Sequence, residues 1–349
     1  MTEFHLPLSS RRRQLRVMVQ TAAACCLGTA AADEAKQSQD ADMQNPSSDG
    51  QSDSDESPAP RPGMPTLGGR LFWGDVYFRR GYRIQQNVFS GHFRLLDPGD
   101  RRCASGTRDE CRSAMDRIVR EKQLAPETGH VVICLHGIGR SSKSMNPVIR
   151  AVSAEKMTAV PFDYPGNRSS LAECAGFLRQ MVDSLTEAEQ ISFVVHSMGG
   201  LVVRRYLKEH SDQRHLRMVM LGTPNLGADL AAMLKNFALF RAVFGPAGQE
   251  LAAGTESIAA GLPVPAFPFG IIAGGRGDER GFNPLLRGDD DGTVTVACTR
   301  LPGAADFLRV NRLHSLLMSD PQVCAAVCCF LQHGRFFVER PAEPIPAGG

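Results

Sequence analysis

One serine of this 349-residue chain lies where a serine hydroxyl could act as a nucleophile. An apolar run over 191–195 predicts a strand, the next five residues have the sequence HSMGG, and the pattern after them predicts a helix. A strand-to-helix turn of this kind projects the hydroxyl of Ser197 from the sheet edge and needs small residues nearby, such as Gly199. A serine hydroxyl is a weak nucleophile, so the chemistry also needs an adjacent base and a third group that orients the base.

The elements around Ser197 alternate between strands and helices. Residues 169–185 place apolar side chains at three- and four-residue spacings, which predicts a helix. Strand-like apolar runs occur at 130–135, 158–162, 191–195, 216–221, 269–273 and 307–310. Strands that alternate with helices predict an α/β fold with a mostly parallel sheet and helices on both faces. Such sheets bind ligands at the carboxyl ends of their strands, where Ser197 lies. The alternative to a turn that presents a nucleophile is that HSMGG forms an ordinary strand-to-helix turn.

Three motifs at predicted strand ends resemble the lipase-like serine-esterase branch of the α/β-hydrolase family. They have the sequences LHGIGR at 135–140, VHSMGGLVVR at 195–204 and LGTPNLG at 221–227. Val195 stands where the general G-x-S-x-G pattern has glycine, but in this branch the residue two before the nucleophile is often not glycine. The resemblance covers roughly residues 130–333 and implies an α/β-hydrolase fold, with a catalytic domain that we place at 127–338.

The resemblance implies a serine, an acid and a histidine in this order along the chain. His314 follows the last strand, in a loop at a carboxyl end, and is the expected base; the other histidines downstream of Ser197 are His210, His215 and His333. The family pattern Asp-Gly-x-Val makes Asp291 the expected acid, which would orient the imidazole. Asp290 is the nearest competitor, and a solvated acidic loop or a cation site is the alternative for this acidic run.

Acyl transfer also needs N–H donors for the oxyanion of the transition state. The resemblance implies the backbone N–H of Met198, the residue after the nucleophile, and an N–H of the loop after the first strand, which we assign to Ile138. His136 and Gly137 in the same loop are expected to border the substrate, with His136 orienting the loop rather than serving as a second base. We expect no cofactor and no metal at this site.

A long insertion between the fourth and fifth strands of the catalytic domain, residues 226–268, is rich in apolar side chains. Amphipathic helices there would form a cap or lid over an apolar acyl pocket, which suits lipid or medium-chain esters. Helices that only pack on the core, without any role in acyl selectivity, are the alternative.

These features favour a serine hydrolase of the lipase or esterase kind, which would cleave a small-molecule or lipid carboxylic ester through an acyl-enzyme on Ser197. An acyltransferase or a thioesterase would use the same three side chains, and a non-catalytic binding protein of the same fold is a further alternative, because a fold does not determine a substrate. Transient contact with a membrane surface would suit a lipid substrate.

Charge is distributed unevenly along a chain whose 39 Lys and Arg residues nearly balance 37 Asp and Glu. The sequence has no basic stripe that would suggest nucleic-acid binding and no run of 18 apolar residues that would predict a transmembrane helix. Residues 1–32 combine Arg11 and Arg12 with a weak apolar stretch, as in a twin-arginine export signal. Export would make the protein periplasmic or secreted, and it would be cytoplasmic without a functional leader. Residues 33–66 are acidic and poor in apolar side chains, which predicts a disordered linker.

The remaining segments have weaker signals. Residues 67–126 are expected to be an N-terminal extension packed on the main domain, and 339–349 a flexible tail. The spacing of Cys103 and Cys111 is compatible with a disulfide in an oxidising compartment, and equally with two free thiols. Helix packing is favoured over a metal site for a set of side chains at helical spacing, Cys324, Cys328, Cys329 and His333.

Overall fold

The computed structural model describes residues 72–226 and 261–347 of the chain. The predicted export signal (1–32), the predicted acidic linker (33–66) and most of the predicted cap (226–268) lie outside the described residues. The described part consists of a small antiparallel sheet with one helix, followed by a larger parallel sheet with its own helices.

The small sheet comes from the predicted N-terminal extension, to which the sequence analysis assigned no strands or helices. Its strands are neighbours in chain order, β1 (Trp73–Arg79), β2 (Tyr82–Asn87), β3 (Phe93–Leu96) and β4 (Arg102–Gly106), and the helix that follows is α1 (Arg108–Lys122). The side chains of Thr107 and Glu110 cap the first turn of α1. The ring of Phe177 packs directly over Gly74 of β1, so this sheet contacts the catalytic part of the chain.

The parallel sheet positions the chemistry. Its strands are β5 (Gly129–Leu135), β6 (Thr158–Phe162), β7 (Ala188–His196), β8 (His215–Leu221), β9 (Phe269–Gly274) and β10 (Asp306–Val310). All neighbours pair in parallel, in the order β10-β9-β8-β7-β5-β6. Alternate residues of β5 belong to two different core clusters, because both faces of the sheet are covered. The six strands match the six predicted runs, and the predicted parallel α/β sheet is confirmed.

Helices cover the two faces of this sheet. They are α2 (Asn146–Ala154), α3 (Leu171–Ser184), α4 (Met198–Leu207), the short α5 (Val296–Thr299) and α6 (Pro321–His333), with 3-10 turns at Ser142–Met145 and His314–Ser319. The helix predicted over 169–185 is α3, which begins at a capping box of Ser170 and Glu173. One core holds α3, α4 and the small sheet, and the other holds α2 and α6.

The C-terminal residues, predicted as a flexible tail (339–349), are held in place as far as they are described. Asp306 of β10 accepts the N–H of Glu343 at 2.8 Å. Ile345 is buried, and its N–H donates to the carbonyl of Ala304 at 2.9 Å. Ile345 therefore packs with the core, and the flexibility of the tail as a whole stays a prediction.

The cysteines of the described residues are all free thiols, with Cys103 exposed and Cys111 buried. Cys324 and Cys328 face the core on α6. Within residues 72–226 and 261–347, no group of three or more His, Cys, Asp or Glu side chains is arranged to hold a metal ion. The helices of the same residues include none with the length and apolar character needed to span a membrane.

Candidate active site

Ser197 occupies a strained turn between β7 and α4. Its backbone has φ 53° and ψ −125°, a region that residues other than glycine rarely adopt. Two backbone hydrogen bonds hold this conformation: the N–H of Ser197 donates to the carbonyl of Leu221 at 2.9 Å, and the N–H of Gly200 donates to the carbonyl of Ser197 at 3.1 Å. Strain of this kind persists where the surrounding structure enforces it, which is common at functional sites.

The two glycines after Met198 are required by close backbone contacts. A Cβ at Gly199 would lie 2.9 Å from the carbonyl oxygen of His136, and a Cβ at Gly200 would overlap the side chain of Thr223. Val195 before the turn is completely buried in the sheet core, so the larger residue is accommodated where the general motif has glycine. The sequence HSMGG therefore satisfies the steric demands of the turn.

His314 and Asp291 form a direct hydrogen bond. The Nδ1–H of His314 donates to Oδ2 of Asp291 at 2.7 Å, and the backbone N–H of His314 donates to the carbonyl of Asp291 at 2.8 Å. Asp291 is only 1% exposed, and its other oxygen accepts the N–H groups of Thr293 and Val294 at 3.0 and 2.8 Å. Because a carboxylate only accepts, Nδ1 carries the ring proton and Nε2 is left as a proton acceptor.

The competing carboxylate, Asp290, is bound within its own loop. It accepts the backbone N–H of Gly292 at 2.6 Å and that of Asn283 at 3.0 Å. Burial raises the pKa of Asp290. Asp290 and Asp291 are consecutive in the chain, but only Asp291 of these two contacts His314.

His196, to which the sequence analysis assigned no separate role, joins the serine turn to the histidine loop. Its Nε2–H donates to the carbonyl of His314 at 3.1 Å, and the two rings have centroids 4.6 Å apart. Burial, together with the nearby His314 and Arg140, holds the pKa of His196 well below its ordinary value, so the ring is neutral. The sequence signal that could have indicated this role of His196 was a polar residue at the end of an otherwise apolar strand.

Ser197 and the His314–Asp291 pair thus lie at one edge of the sheet. Gly222, directly after β8, lies against the pair: a Cβ there would lie 3.0 Å from His314 Nδ1 and 3.2 Å from Asp291 Oδ2. The other downstream histidines lie elsewhere: His215 contacts Tyr206 and Phe267, and His333 is at the end of α6.

The loop after β5, residues 136–141 (the β5 loop), lies against the serine turn. A Cβ at Gly137 would lie 3.0 Å from Cβ of Ser197. Ile138 is partly buried against the core, and the N–H of the next residue, Gly139, donates to Oδ1 of Asn167 at 2.8 Å. Met198 is the first residue of α4, so its N–H has no acceptor within the helix.

His136, expected to border the substrate, is buried inside the β5 loop. Its Nδ1 lies 2.7 Å from the carbonyl oxygen of Gly137, and its ring stacks on Tyr164 with centroids 4.4 Å apart. The hydroxyl of Tyr164 donates to the carbonyl of His136 at 2.6 Å. Burial lowers the pKa of His136. The ring can therefore hold the shape of the loop, while Gly137 provides the surface next to Ser197.

This geometry combines a serine hydroxyl, an imidazole with one accepting nitrogen, and a buried carboxylate. The backbone N–H of Met198 directly follows Ser197, and Gly137, the neighbour of Ile138, lies against the serine turn. Groups of these types can carry out acyl transfer without a metal or a cofactor.

Comparison with known proteins addresses the family. The family profile described as "Alpha/beta hydrolase family" matches residues 132–338, which is 207 of the 349 residues. Among solved structures, the lipase BlEst2 from Bacillus licheniformis in its propeptide form is 20% identical, with 62% of this chain and 52% of that chain aligned and a TM-score of 0.48. Phospholipase PlaB from Legionella pneumophila in complex with thio-NAD is 17% identical over 49% of this chain and 44% of that chain, with a TM-score of 0.41. The metagenomic carboxyl esterase MGS0156 is 19% identical over 60% of this chain and 75% of that chain, with a TM-score of 0.42.

The alignment thus spans about half the length of the first two of these structures. No curated protein sequence matches the chain significantly. The structural similarities are too low to inform the activity, whereas the profile covers more than half of the chain, together with the serine turn, Asp291 and His314. The resemblance inferred from the three sequence motifs is therefore confirmed: the chain belongs to the alpha/beta hydrolase family.

Proposed function

We propose that this protein is a serine hydrolase that cleaves carboxylic esters through an acyl-enzyme on Ser197. The observation that carries the proposal is the 2.7 Å hydrogen bond between His314 and Asp291 at the sheet edge where Ser197 sits in a strained turn. A histidine oriented by a buried carboxylate next to a serine is the arrangement that activates a hydroxyl for nucleophilic attack.

In the first half-reaction, Oγ of Ser197 attacks the ester carbonyl carbon while Nε2 of His314 takes the hydroxyl proton. The N–H groups of Ile138 and Met198 stabilise the negative oxygen of the tetrahedral intermediate. His314 then returns the proton to the leaving alcohol, and the acyl group stays on Ser197. In the second half-reaction, water attacks the acyl-enzyme by the same route, which releases the acid and restores the serine. Asp291 orients the imidazole and stabilises its protonated form throughout.

The side chains beside His314 favour an apolar substrate. Leu313 and Leu316, on either side of His314 along the chain, are 40% and 48% exposed, and Leu226 is exposed at the start of the predicted insertion. Exposed leucines next to a reactive group provide contact area for an alkyl chain. We infer that the preferred ester has an apolar acyl part, and that contact with a lipid surface would be transient.

The experiment offers p-nitrophenyl esters of increasing acyl length to the wild type and to Ser197→Ala, with labelling by a fluorophosphonate. We expect turnover and labelling in the wild type, and a loss of kcat of about 10⁴-fold or more with no labelling in Ser197→Ala. Ser184→Ala is the matched control, because the hydroxyl of Ser184 bonds within α3, to the carbonyl oxygen and the sulfur of Met181. The proposal fails if the wild type neither cleaves any ester nor becomes labelled at Ser197.

A further inference from the structure

A buried cluster of charges lies where the N-terminal sheet contacts the parallel sheet. Arg83 of β2 is 6% exposed, and its guanidinium contacts Asp163 at 2.7 Å, Asp75 at 3.5 Å, and Asp100. Ions removed from water in this way are unfavourable unless each is paired, and replacing such a cluster by apolar residues often stabilises a protein. Stability alone therefore explains the cluster poorly.

Asp163, which directly follows β6, holds both ends of the β5 loop. Ser142 immediately follows the loop. Its backbone N–H donates to Oδ1 of Asp163 at 2.6 Å, and its hydroxyl donates to Oδ2 of Asp163 at 2.8 Å. At the beginning of the loop, Nε2 of His136 lies 3.6 Å from Oδ1. Ile138 lies between these two points along the chain, so Asp163 contacts the loop on both sides of Ile138.

The N-terminal sheet holds Asp163 through its backbone as well. The N–H of Asp75 in β1 donates to the carbonyl of Asp163 at 2.9 Å, and the N–H of Asp163 donates to Oδ2 of Asp75 at 2.7 Å. Oδ1 of Asp75 in turn accepts Nε2–H of Gln85 at 2.7 Å. A continuous hydrogen-bond network therefore runs from the N-terminal sheet to the β5 loop.

Both oxygens of Asp163 accept hydrogen bonds from Ser142, as suits an ionised carboxylate, and Arg83 helps to keep Asp163 ionised. Burial alone would raise the pKa of Asp163, but Arg83, His136 and the hydrogen bonds from Ser142 together lower it to about 2. Burial, only partly offset by Arg83, raises the pKa of Asp75 to about 6. Without the guanidinium, two adjacent buried carboxylates would compete for protons, and a protonated Asp163 would donate where it now accepts.

We propose that Arg83 is a positioning residue for the reaction: acting through Asp163, it sets the β5 loop so that the N–H of Ile138 meets the oxyanion. The inference rests on the proposed function. It also assigns a purpose to the N-terminal sheet, which becomes part of the assembly of the active site although none of its side chains touches the reacting atoms.

The test compares variants by kcat and KM on a p-nitrophenyl ester and by thermal unfolding. Arg83→Met removes the charge at similar volume, and Arg83→Lys keeps a charge. Arg80→Met is the control for general loosening of the same sheet. The side chain of Arg80 makes exposed hydrogen bonds to the carbonyls of Ala125 and Pro126, at 3.0 and 3.1 Å.

We expect Arg83→Met to lower kcat about 10- to 100-fold and to change KM by less than about threefold, because a misplaced oxyanion donor affects the transition state more than the bound ester. Arg83→Lys should recover part of the lost kcat. Arg80→Met should keep kcat close to that of the wild type. A residue with a merely structural role would not give this separation of kcat from KM together with rescue by lysine.

An unchanged kcat in Arg83→Met, or equal losses of kcat in Arg83→Met and Arg80→Met, would overturn the inference and leave the proposed function intact, since Ser197→Ala would still abolish turnover. If Arg83→Met does not fold, Ser142→Ala decides, because it removes the hydroxyl bond to Asp163 without disturbing a charge. A lower kcat at wild-type KM and unfolding temperature supports the inference, and an unchanged kcat overturns it. A wild type without esterase turnover would instead contradict the proposed function.

Discussion

The replacement Asp291→Asn is the sharpest perturbation of the proposed mechanism, because it exchanges one carboxylate oxygen for an NH₂ group and changes hardly any volume. Oδ1 of Asp291 accepts two backbone N–H groups and Oδ2 accepts Nδ1–H of His314. An asparagine has one oxygen and one NH₂ group. If the NH₂ group faced the two backbone donors, they would be left buried and unpaired, at about 1–3 kcal/mol each. The oxygen of the asparagine therefore stays with the backbone, and its NH₂ group faces Nδ1 of His314.

This orientation inverts the tautomer of the histidine. Nδ1 must then accept, the ring proton moves to Nε2, and the nitrogen proposed as the base can no longer take a proton. A carboxylate-to-amide change with this effect lowers kcat by about 10⁴-fold in a serine–histidine–aspartate site. At about 1.4 kcal/mol per factor of ten, the loss corresponds to about 5.5 kcal/mol of transition-state stabilisation. The folded state keeps its backbone hydrogen bonds, so its stability should fall by only about 1 kcal/mol.

The assay measures kcat and KM on a p-nitrophenyl ester, with the free energy of unfolding from a urea titration as a check on folding. Asp290→Asn is the matched control, because an amide oxygen can still accept the N–H of Gly292. This control should lose about 1–2 kcal/mol of stability and keep kcat close to that of the wild type. If Asp291→Asn keeps its kcat while Asp290→Asn loses it, the assignment of the orienting acid is refuted.

Three further predictions concern stability, each measured by denaturant unfolding. His196 is neutral in the folded protein but protonates in the unfolded chain below about pH 6.5. Its contribution to the free energy of unfolding is therefore complete above that pH and falls by about 1.4 kcal/mol per pH unit below it. His196→Gln, which keeps an N–H donor, should remove this part of the pH dependence. Arg204 is buried and donates to the carbonyls of Asn225, Leu262 and Pro263, so Arg204→Met should cost about 3 kcal/mol, and less than 1 kcal/mol would contradict its role as an anchor. Asp306→Ala leaves three N–H groups without their acceptor and should cost about 2–3 kcal/mol, with faster hydrogen exchange at 335–347 as the specific sign.

The parallel sheet could be predicted because its information is local. In β5, for example, a continuous apolar run rich in branched side chains meets the demand of burial on both faces, and α3 shows its apolar face at helical spacing. The turn at Ser197 was equally visible, since a strand, a serine, two glycines and a helix follow one another without interruption. For the same reason, the motifs were sufficient to identify the family before any contact was known.

The N-terminal sheet could not be predicted, because its pattern depends on residues far along the chain. In β2, Arg83 and Gln85 are buried where a strand would normally place apolar side chains. Their burial is tolerable only because Arg83 meets Asp163, 80 residues later, and Gln85 meets Asp75. The sequence pattern therefore predicted neither strands nor helices for this segment.

The sequence by itself determined the sheet, the serine turn and a short set of candidate partners for the serine. It left Asp290 and Asp291 as competitors, since neighbouring residues of a loop share composition and differ only in the direction of their side chains. Tertiary structure decided between them: the backbone N–H groups of Thr293 and Val294 turn Asp291 toward His314, whereas Gly292 and Asn283 retain Asp290. That choice became visible only where two loops meet at the sheet edge, the loop that carries Asp291 and the loop that carries His314.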